Sequence, residues 1–215
     1  MVNGKIGVFF ADDHAMIREG LVELVNRHSD LTVVGQCGDG MSVLDQVGKV
    51  NPDVAVLDIT MPGLNGLDCC RELTRRDKNL GVLILTIHED EEFIARAIEY
   101  GASGYVLKES AAEQLVEAIR AVGRGELYLG PGISRSVLDR VANGGEDAYD
   151  LLTTRERQVL QLIAEGKTNR QVAQALELAV KTVDTHRMRL MHKLNIHDQT
   201  TLVKFAVRKG LVSLD

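Results

Sequence analysis

Five polar residues stand where short apolar runs end. Asp12 and Asp13 follow Ile6–Ala11, Asp58 follows Val54–Leu57, Thr86 follows Val82–Leu85, and Lys108 follows Gly104–Leu107. If those runs are parallel strands of one sheet, the five residues meet outside its carboxyl edge, where such sheets bind ligands. Three carboxylates in one crevice repel each other, and a hard divalent cation relieves the repulsion. Mg²⁺ takes oxygen ligands and keeps several waters, so it suits an open acidic site. An ammonium and a hydroxyl beside the cation suit a phosphoryl group, whose transfer rests on positioning and charge stabilisation. A carboxylate can itself accept that group. Asp58 stands alone after a central strand and is the candidate acceptor. Singly, each residue has a plainer reading: an Asp at a strand end caps a turn, Lys108 lies on the surface, Thr86 ends a strand. The conjunction carries the functional reading.

The elements that must position these residues can be read from the pattern. Strands are predicted at Ile6–Ala11, Leu31–Gly35, Val54–Leu57, Val82–Leu85 and Gly104–Leu107. Helical spacing covers His14–Arg27, Met41–Val50, Gly66–Arg76, 90–100 and 111–124. Strands apolar throughout, alternating with helices, predict a doubly wound α/β fold on a five-stranded parallel sheet. The remainder shows no strand alternation. It predicts a small all-α unit with helices near 154–165, 168–176, 181–194 and 199–208, which suits a helix-turn-helix. Between them, Asn143–Asp147 reads as a linker, and Ser134–Ala142 as a further helix.

The 215 residues carry 25 Lys+Arg against 31 Asp+Glu, a net charge of −6. That balance alone weighs against nucleic acid as a partner. It is unevenly spread: residues 1–147 hold 14 basic and 24 acidic residues, net −10, and residues 148–215 hold 11 and 7, net +4. Opposite signs suggest two domains with different partners. The composition, 45% hydrophobic and 26% charged, excludes wholesale disorder and collagen-like repetition. No apolar run approaches the ~20 residues of a membrane span, and the N-terminus does not read as a signal peptide. Three cysteines, Cys37, Cys69 and Cys70, form no CxxC metal pattern and suit reduced thiols in a cytoplasm. Cys69 and Cys70 share a predicted helix, so at most one is well exposed.

The stretches Ala11-Asp12-Asp13-His14, Leu57-Asp58-Ile59-Thr60-Met61-Pro62-Gly63-Leu64-Asn65-Gly66, Leu85-Thr86 and Gly104-Tyr105-Val106-Leu107-Lys108 closely resemble a response-regulator receiver domain, over residues 5–124. The resemblance implies that Asp58 accepts a phosphoryl group from a partner histidine kinase. It implies Mg²⁺ held by Asp13, Asp58 and the Thr60 carbonyl, with Asp12 assisting, and it assigns Lys108 to a phosphoryl oxygen. Thr86 and Tyr105 resemble a switch pair, hydroxyl moving toward the phosphoryl group and ring turning inward. Tyr105 also reads as an edge-strand packing residue. Glu109 stands where many receivers have proline.

Residues 151–213 resemble the LuxR-type helix-turn-helix of NarL/FixJ response regulators. Glu165-Gly166-Lys167-Thr168-Asn169-Arg170-Gln171-Val172-Ala173 and Val180-Lys181-Thr182-Val183-Asp184-Thr185-His186-Arg187 carry the match. On this reading 125–150 is a linker and 181–194 is the recognition helix. Its Val183, Leu190 and Leu194 face the core. Thr185 and Met188 lead as base-edge contacts, with Asp184 and Arg187 next. Lys181, Thr182, Arg189 and Lys193 are assigned to phosphate, and His186 to packing. Ala179 departs from the Ser or Thr that often caps this helix.

The reading as a whole is a two-component transcription regulator. It is no enzyme beyond assisting its own phosphorylation and dephosphorylation, and it forms a homodimer on a two-fold DNA site when phosphorylated or DNA-bound. The sequence does not fix the dimer surface; the segment 90–124 is a candidate by analogy. Two alternatives are weaker. A Mg²⁺-dependent aspartyl-phosphate phosphatase would want an acid two residues after Asp58, where Thr60 stands. A ligand-sensing LuxR-type regulator has no need of the acidic pocket.

Overall fold

Backbone groups of an apolar segment must find partners within the protein, and strands apolar on both faces find them in a sheet covered on both sides. The computed structural model describes residues 4–133, 137, 138, 141 and 147–212. The chain forms two compact units, and the change from one to the other falls between residues 141 and 147, outside the described part. The sequence-predicted linker Asn143–Asp147 therefore lies almost wholly outside the described residues, as does most of the helix expected over Ser134–Ala142.

The N-terminal unit alternates strand and helix. β1 (Ile6–Ala11), α1 (Ala15–Asn26), β2 (Leu31–Cys37), α2 (Gly40–Val50), β3 (Val54–Leu57), α3 (Gly66–Arg76), β4 (Gly81–Thr86), α4 (Glu91–Glu99), β5 (Gly104–Leu107) and α5 (Ala111–Gly123) follow in order, and β6 (Tyr128–Leu129) ends the series. Among the described residues the strands form one sheet ordered β2-β1-β3-β4-β5-β6. Every neighbouring pair is parallel. The central strands are buried along their whole length, and Val8, Phe10, Val56, Leu83 and Val106 share one core with Leu115, Ile119 and Val122 of α5. Asp39 caps α2 by accepting from the Ser42 amide, and Asn51 ends that helix in the left-handed region at φ 44.

The doubly wound fold stands as expected, but the sheet has six strands and not five. β6 is two residues long, too short to display any period, and pairs Tyr128 with Gly104 and Leu129 with Tyr105. β5 is thus not the sheet edge, which removes the edge-strand setting expected for Tyr105.

The C-terminal unit is helical. Among the described residues it holds α6 (Thr154–Ala164), α7 (Asn169–Ala175), α8 (Val180–Lys193) and α9 (Gln199–Arg208). α6 and α7 each begin with a capping box, Thr153 with Glu156 and Thr168 with Gln171, and Asp198 caps α9. Gly166, Glu177 and Asn195 turn the chain after α6, α7 and α8 at φ 82, 54 and 52. Val159, Leu160, Val172, Val183, Leu190 and Leu202 are buried and build a small core. Leu194, expected in that core, is only half-buried. Among the described residues no helix is long and apolar enough to cross a membrane.

Candidate functional site

Parallel register alone brings the strand ends level. Ala11 pairs with Leu57, Leu57 with Ile84, and Thr86 with Leu107. The residues that follow or end these strands, Asp12, Asp58, Thr86 and Lys108, therefore share one edge. Lys108 Nζ lies 2.7 Å from Asp58 Oδ2 and 2.7 Å from Asp12 Oδ2. Asp12 and Asp58 are 3% and 4% exposed. One ligand atom each from Asp12, Asp13, His14 and Asp58 falls within a span of 4.8 Å. Asp13 and His14 are exposed, so the cluster opens to solvent on one side.

Burial sets the electrostatics. It pushes the Asp58 carboxyl above the ordinary carboxylate range, and the Lys108 ammonium opposes this without cancelling it. Asp12 adds to the rise and Thr86 reduces it. Burial disfavours the charged form of Lys108, but hydrogen bonds and attraction from Asp12 and Asp58 outweigh it and hold the lysine above its ordinary value. Asp58 Oδ1 is enclosed and has no hydrogen-bond partner among the described residues. An enclosed acceptor without a donor is costly. A divalent cation, or a bond to the electrophilic phosphorus of a transferred phosphoryl group, would relieve it, and a set of hard carboxylate oxygens fits Mg²⁺. The residues present therefore fit that cofactor.

The other side of the site is linked to the loop after β4. The Thr60 hydroxyl lies 3.1 Å from His88 Nε2. The Tyr105 hydroxyl donates to the His88 carbonyl at 2.8 Å, with its ring wholly buried. His88 stacks on Phe93 of α4 at a centroid distance of 4.5 Å. Thr86 is buried, and its Oγ1 accepts at 3.5 Å from the His88 amide. His88 therefore touches Thr60, Thr86 and Tyr105 together.

Sequence reasoning misses several supporting residues. His14 gives its ring to the acid cluster, Nδ1 lying 2.7 Å from Asp13 Oδ1, and its amide donates to Asp12 Oδ1 at 2.8 Å. Its place directly after Asp13 was the available signal. Arg18 donates to the Asp12 main-chain carbonyl and holds the end of β1 from α1. Gly66 opens α3 against the Asp58 backbone: a Cβ there would collide with the Asp58 carbonyl. The Gly66 amide donates to the Ile59 carbonyl at 2.9 Å, fixing the turn that carries Asp58.

Cys37, Cys69 and Cys70 are all buried, so neither member of the adjacent pair is exposed. Burial pushes the Cys37 thiol up to about 11 and both neighbours further, which keeps them protonated and unreactive.

In the helical unit, the residues expected to meet DNA differ in how free they are. Lys181, Asp184, Met188 and Arg189 are exposed, while Thr182, Thr185, His186 and Arg187 are half-buried. Asn169 holds two of them: its amide donates to Asp184, and its carbonyl accepts from Arg187 at 3.2 Å. Arg187 also donates to Gln199 at 3.1 Å. Thr185 donates its hydroxyl to the Lys181 carbonyl at 3.0 Å. Lys193, assigned to phosphate, has partners within the helical unit. Its ammonium lies 2.7 Å from the buried Glu156 carboxylate and 3.0 Å from the Leu151 carbonyl, so it ties the end of α8 to the start of α6. The His186 Nδ1 is enclosed, as a packed side chain would be. Ala179 stands at the N-cap of α8 with no side-chain cap bond.

Comparison with known proteins agrees on both units. A model of the response regulator receiver domain matches residues 8–120, and a model of bacterial regulatory proteins of the luxR family matches residues 150–206. The chain is 36% identical over 213 residues to the oxygen regulatory protein NreC of Staphylococcus carnosus, covering 95% of this chain and 98% of that one. It is 34% identical over 227 residues to the transcriptional regulatory protein DegU of Brevibacillus brevis, covering 98% and 96%. Among solved structures it is similar to the response regulator ChrA of a heme-sensing two-component system, at 33% identity and a TM-score of 0.53, covering 97% of this chain and all of that one.

Proposed function

The chain belongs to the response regulators that join a receiver domain to a LuxR-type helix-turn-helix, a family of DNA-binding two-component regulators of transcription; on that premise we propose that Asp58 is its phosphoacceptor and α8 its recognition helix. The observation that carries the first half is the pairing of an enclosed, unpartnered Asp58 Oδ1 with an Oδ2 held by Lys108. One oxygen is left to react while the other is fixed. Residues 5–124 form the receiver, 125–150 the linker and 151–213 the DNA-binding domain.

The donor is the phosphohistidine of a sensor histidine kinase. Asp58 Oδ1 attacks phosphorus, the P–N bond breaks, and its electron pair stays on the imidazole nitrogen. Asp12, Asp13, Asp58 and the Thr60 carbonyl would hold Mg²⁺, which when bound offsets charge on the phosphoryl oxygens and the acids. Lys108 then trades Asp58 for a phosphoryl oxygen, and Thr86 turns its hydroxyl to another. Tyr105 is fastened to the His88 carbonyl, and the His88 amide meets Thr86, so a shift of Thr86 is passed to the start of α4. Turnover of the phosphoryl group is limited to this chain's own phosphorylation and dephosphorylation. A general phosphatase is disfavoured because Thr60, which engages His88, stands where a second acid would act.

The phosphorylated chain binds a two-fold DNA site as a homodimer. Lys181, Thr182 and Arg189 meet phosphates, and Thr185 and Met188 meet base edges, with Asp184 and Arg187 behind them. The buried reduced thiols fit a cytoplasmic location. Mapping of chromosomal binding sites for wild type and Asp58→Ala tests the proposal: occupancy that depends on Asp58 is expected, and equal occupancy would overturn it.

A further inference from the structure

The N-terminal two turns of a recognition helix supply its base contacts. On α8 those turns present Lys181, Asp184, Thr185 and Met188 at steps of three and four, hence on one face. Two polar side chains of these turns that could read a base edge, Asp184 and Arg187, are already engaged. Asp184 is held by the Asn169 amide, and Arg187 by Asn169 and Gln199. Thr185 has given its hydroxyl hydrogen to the helix, which leaves a methyl group and a lone pair to face a ligand. Met188 is 68% exposed, one turn beyond Asp184 and Thr185 and next in sequence to Arg187 and Arg189. A single exposed methionine is ordinary on a protein surface, but on the helix face assigned to DNA this flexible apolar side chain is free to pack against an apolar group of the ligand.

The major groove offers one apolar group, the 5-methyl of thymine. We infer that this protein selects its DNA by thymine methyl groups packed against Met188 and Thr185, with Lys181 and Arg189 gripping the flanking phosphates. The inference rests on α8 being the recognition helix and names what that helix reads. It makes Met188 a specificity-determining residue and places T·A pairs, not G·C pairs, at the centre of each half-site.

The test uses the full chain treated with acetyl phosphate and a pool of random-sequence DNA duplexes. The selected duplex is then synthesised with each thymidine in turn replaced by deoxyuridine, which removes only the methyl group. In each half-site, one or two replacements are expected to weaken binding about fourfold, equivalent to ~0.8 kcal/mol for one buried methyl-sized group. Met188→Ala is expected to bind more weakly and to lose that sensitivity, and Met188→Leu to keep it. Binding indifferent to every replacement, or Met188→Ala as sensitive as wild type, overturns the inference while DNA binding stands. A selected consensus of guanines lost on substitution of Lys181 or Arg189 overturns it likewise. If no duplex is enriched, the assignment of α8 to DNA falls as well.

Discussion

Lys108 Nζ sits 2.7 Å from Asp58 Oδ2 and equally close to Asp12 Oδ2, so one ammonium balances two buried carboxylates. The same carboxylates are the proposed ligands of Mg²⁺. Ammonium and cation then compete for them. Lys108→Ala is expected to bind Mg²⁺ severalfold more tightly by calorimetric titration, and to lose phosphorylation-dependent DNA binding. Unchanged or weaker Mg²⁺ binding would show that Lys108 does not occupy the cation's place.

Gly66 lies so near the Asp58 carbonyl that any side chain must displace backbone. Gly66→Ala is expected to lower the stability of the receiver by about 1–3 kcal/mol, the usual cost of overpacking, and to slow labelling of Asp58. Urea unfolding reads the first effect. Wild-type stability would mean that the turn yields without strain.

The N-cap of α8 is open. Ala179 has the extended backbone of a cap, φ −71 and ψ 144, and no side-chain bond, whereas α6, α7 and α9 are capped. Ala179→Ser is expected to stabilise the helical unit by about 1 kcal/mol. Thermal unfolding that does not change would show that the helix start is already satisfied.

Lys193 and Arg189, both expected at phosphate, can be told apart by their dependence on pH and on salt. Burial pushes Glu156 up, but hydrogen bonds from Lys193 and Thr153 outweigh it and leave the carboxyl below its ordinary value. A carboxyl depressed in the folded state stabilises above its unfolded pKa, and that stability is lost as pH falls through the folded one. Wild-type stability should therefore decline as pH drops below about 4.5, the ordinary glutamate value. Lys193→Met should weaken this dependence and melt earlier at neutral pH, with its DNA salt dependence intact. Arg189→Ala should instead reduce the slope of log affinity against log salt by about 1 in each protomer. A reversed pattern would restore Lys193 to the phosphate contacts.

The order of the strands in the sheet came only from the fold, but their positions along the chain and the acid pocket were legible because β1, β3, β4 and β5 are apolar and each ends at a polar residue. β6 was not, since two residues carry no period. The net charge of −6 misled until divided, because the acidic residues of the N-terminal part outweigh the basic helices. Residues whose role comes from partners far along the chain stayed hidden. Lys193 finds Glu156 37 positions away, and Asn169 finds Arg187 18 positions away. His88 belongs to a loop with no motif, and only the fold shows that it meets Thr60 and Tyr105 at once.

Phosphoryl transfer to Asp58 can be measured directly. Wild type, Asp58→Ala and Asp13→Ala can be incubated with acetyl phosphate and Mg²⁺, and the modified residue located by mass spectrometry after trapping with hydroxylamine. A single hydroxylamine-sensitive acyl phosphate at Asp58 is expected in wild type, with slow labelling in Asp13→Ala and none in Asp58→Ala. Labelling of Asp58→Ala at wild-type rate, or of wild type at another residue, would contradict it.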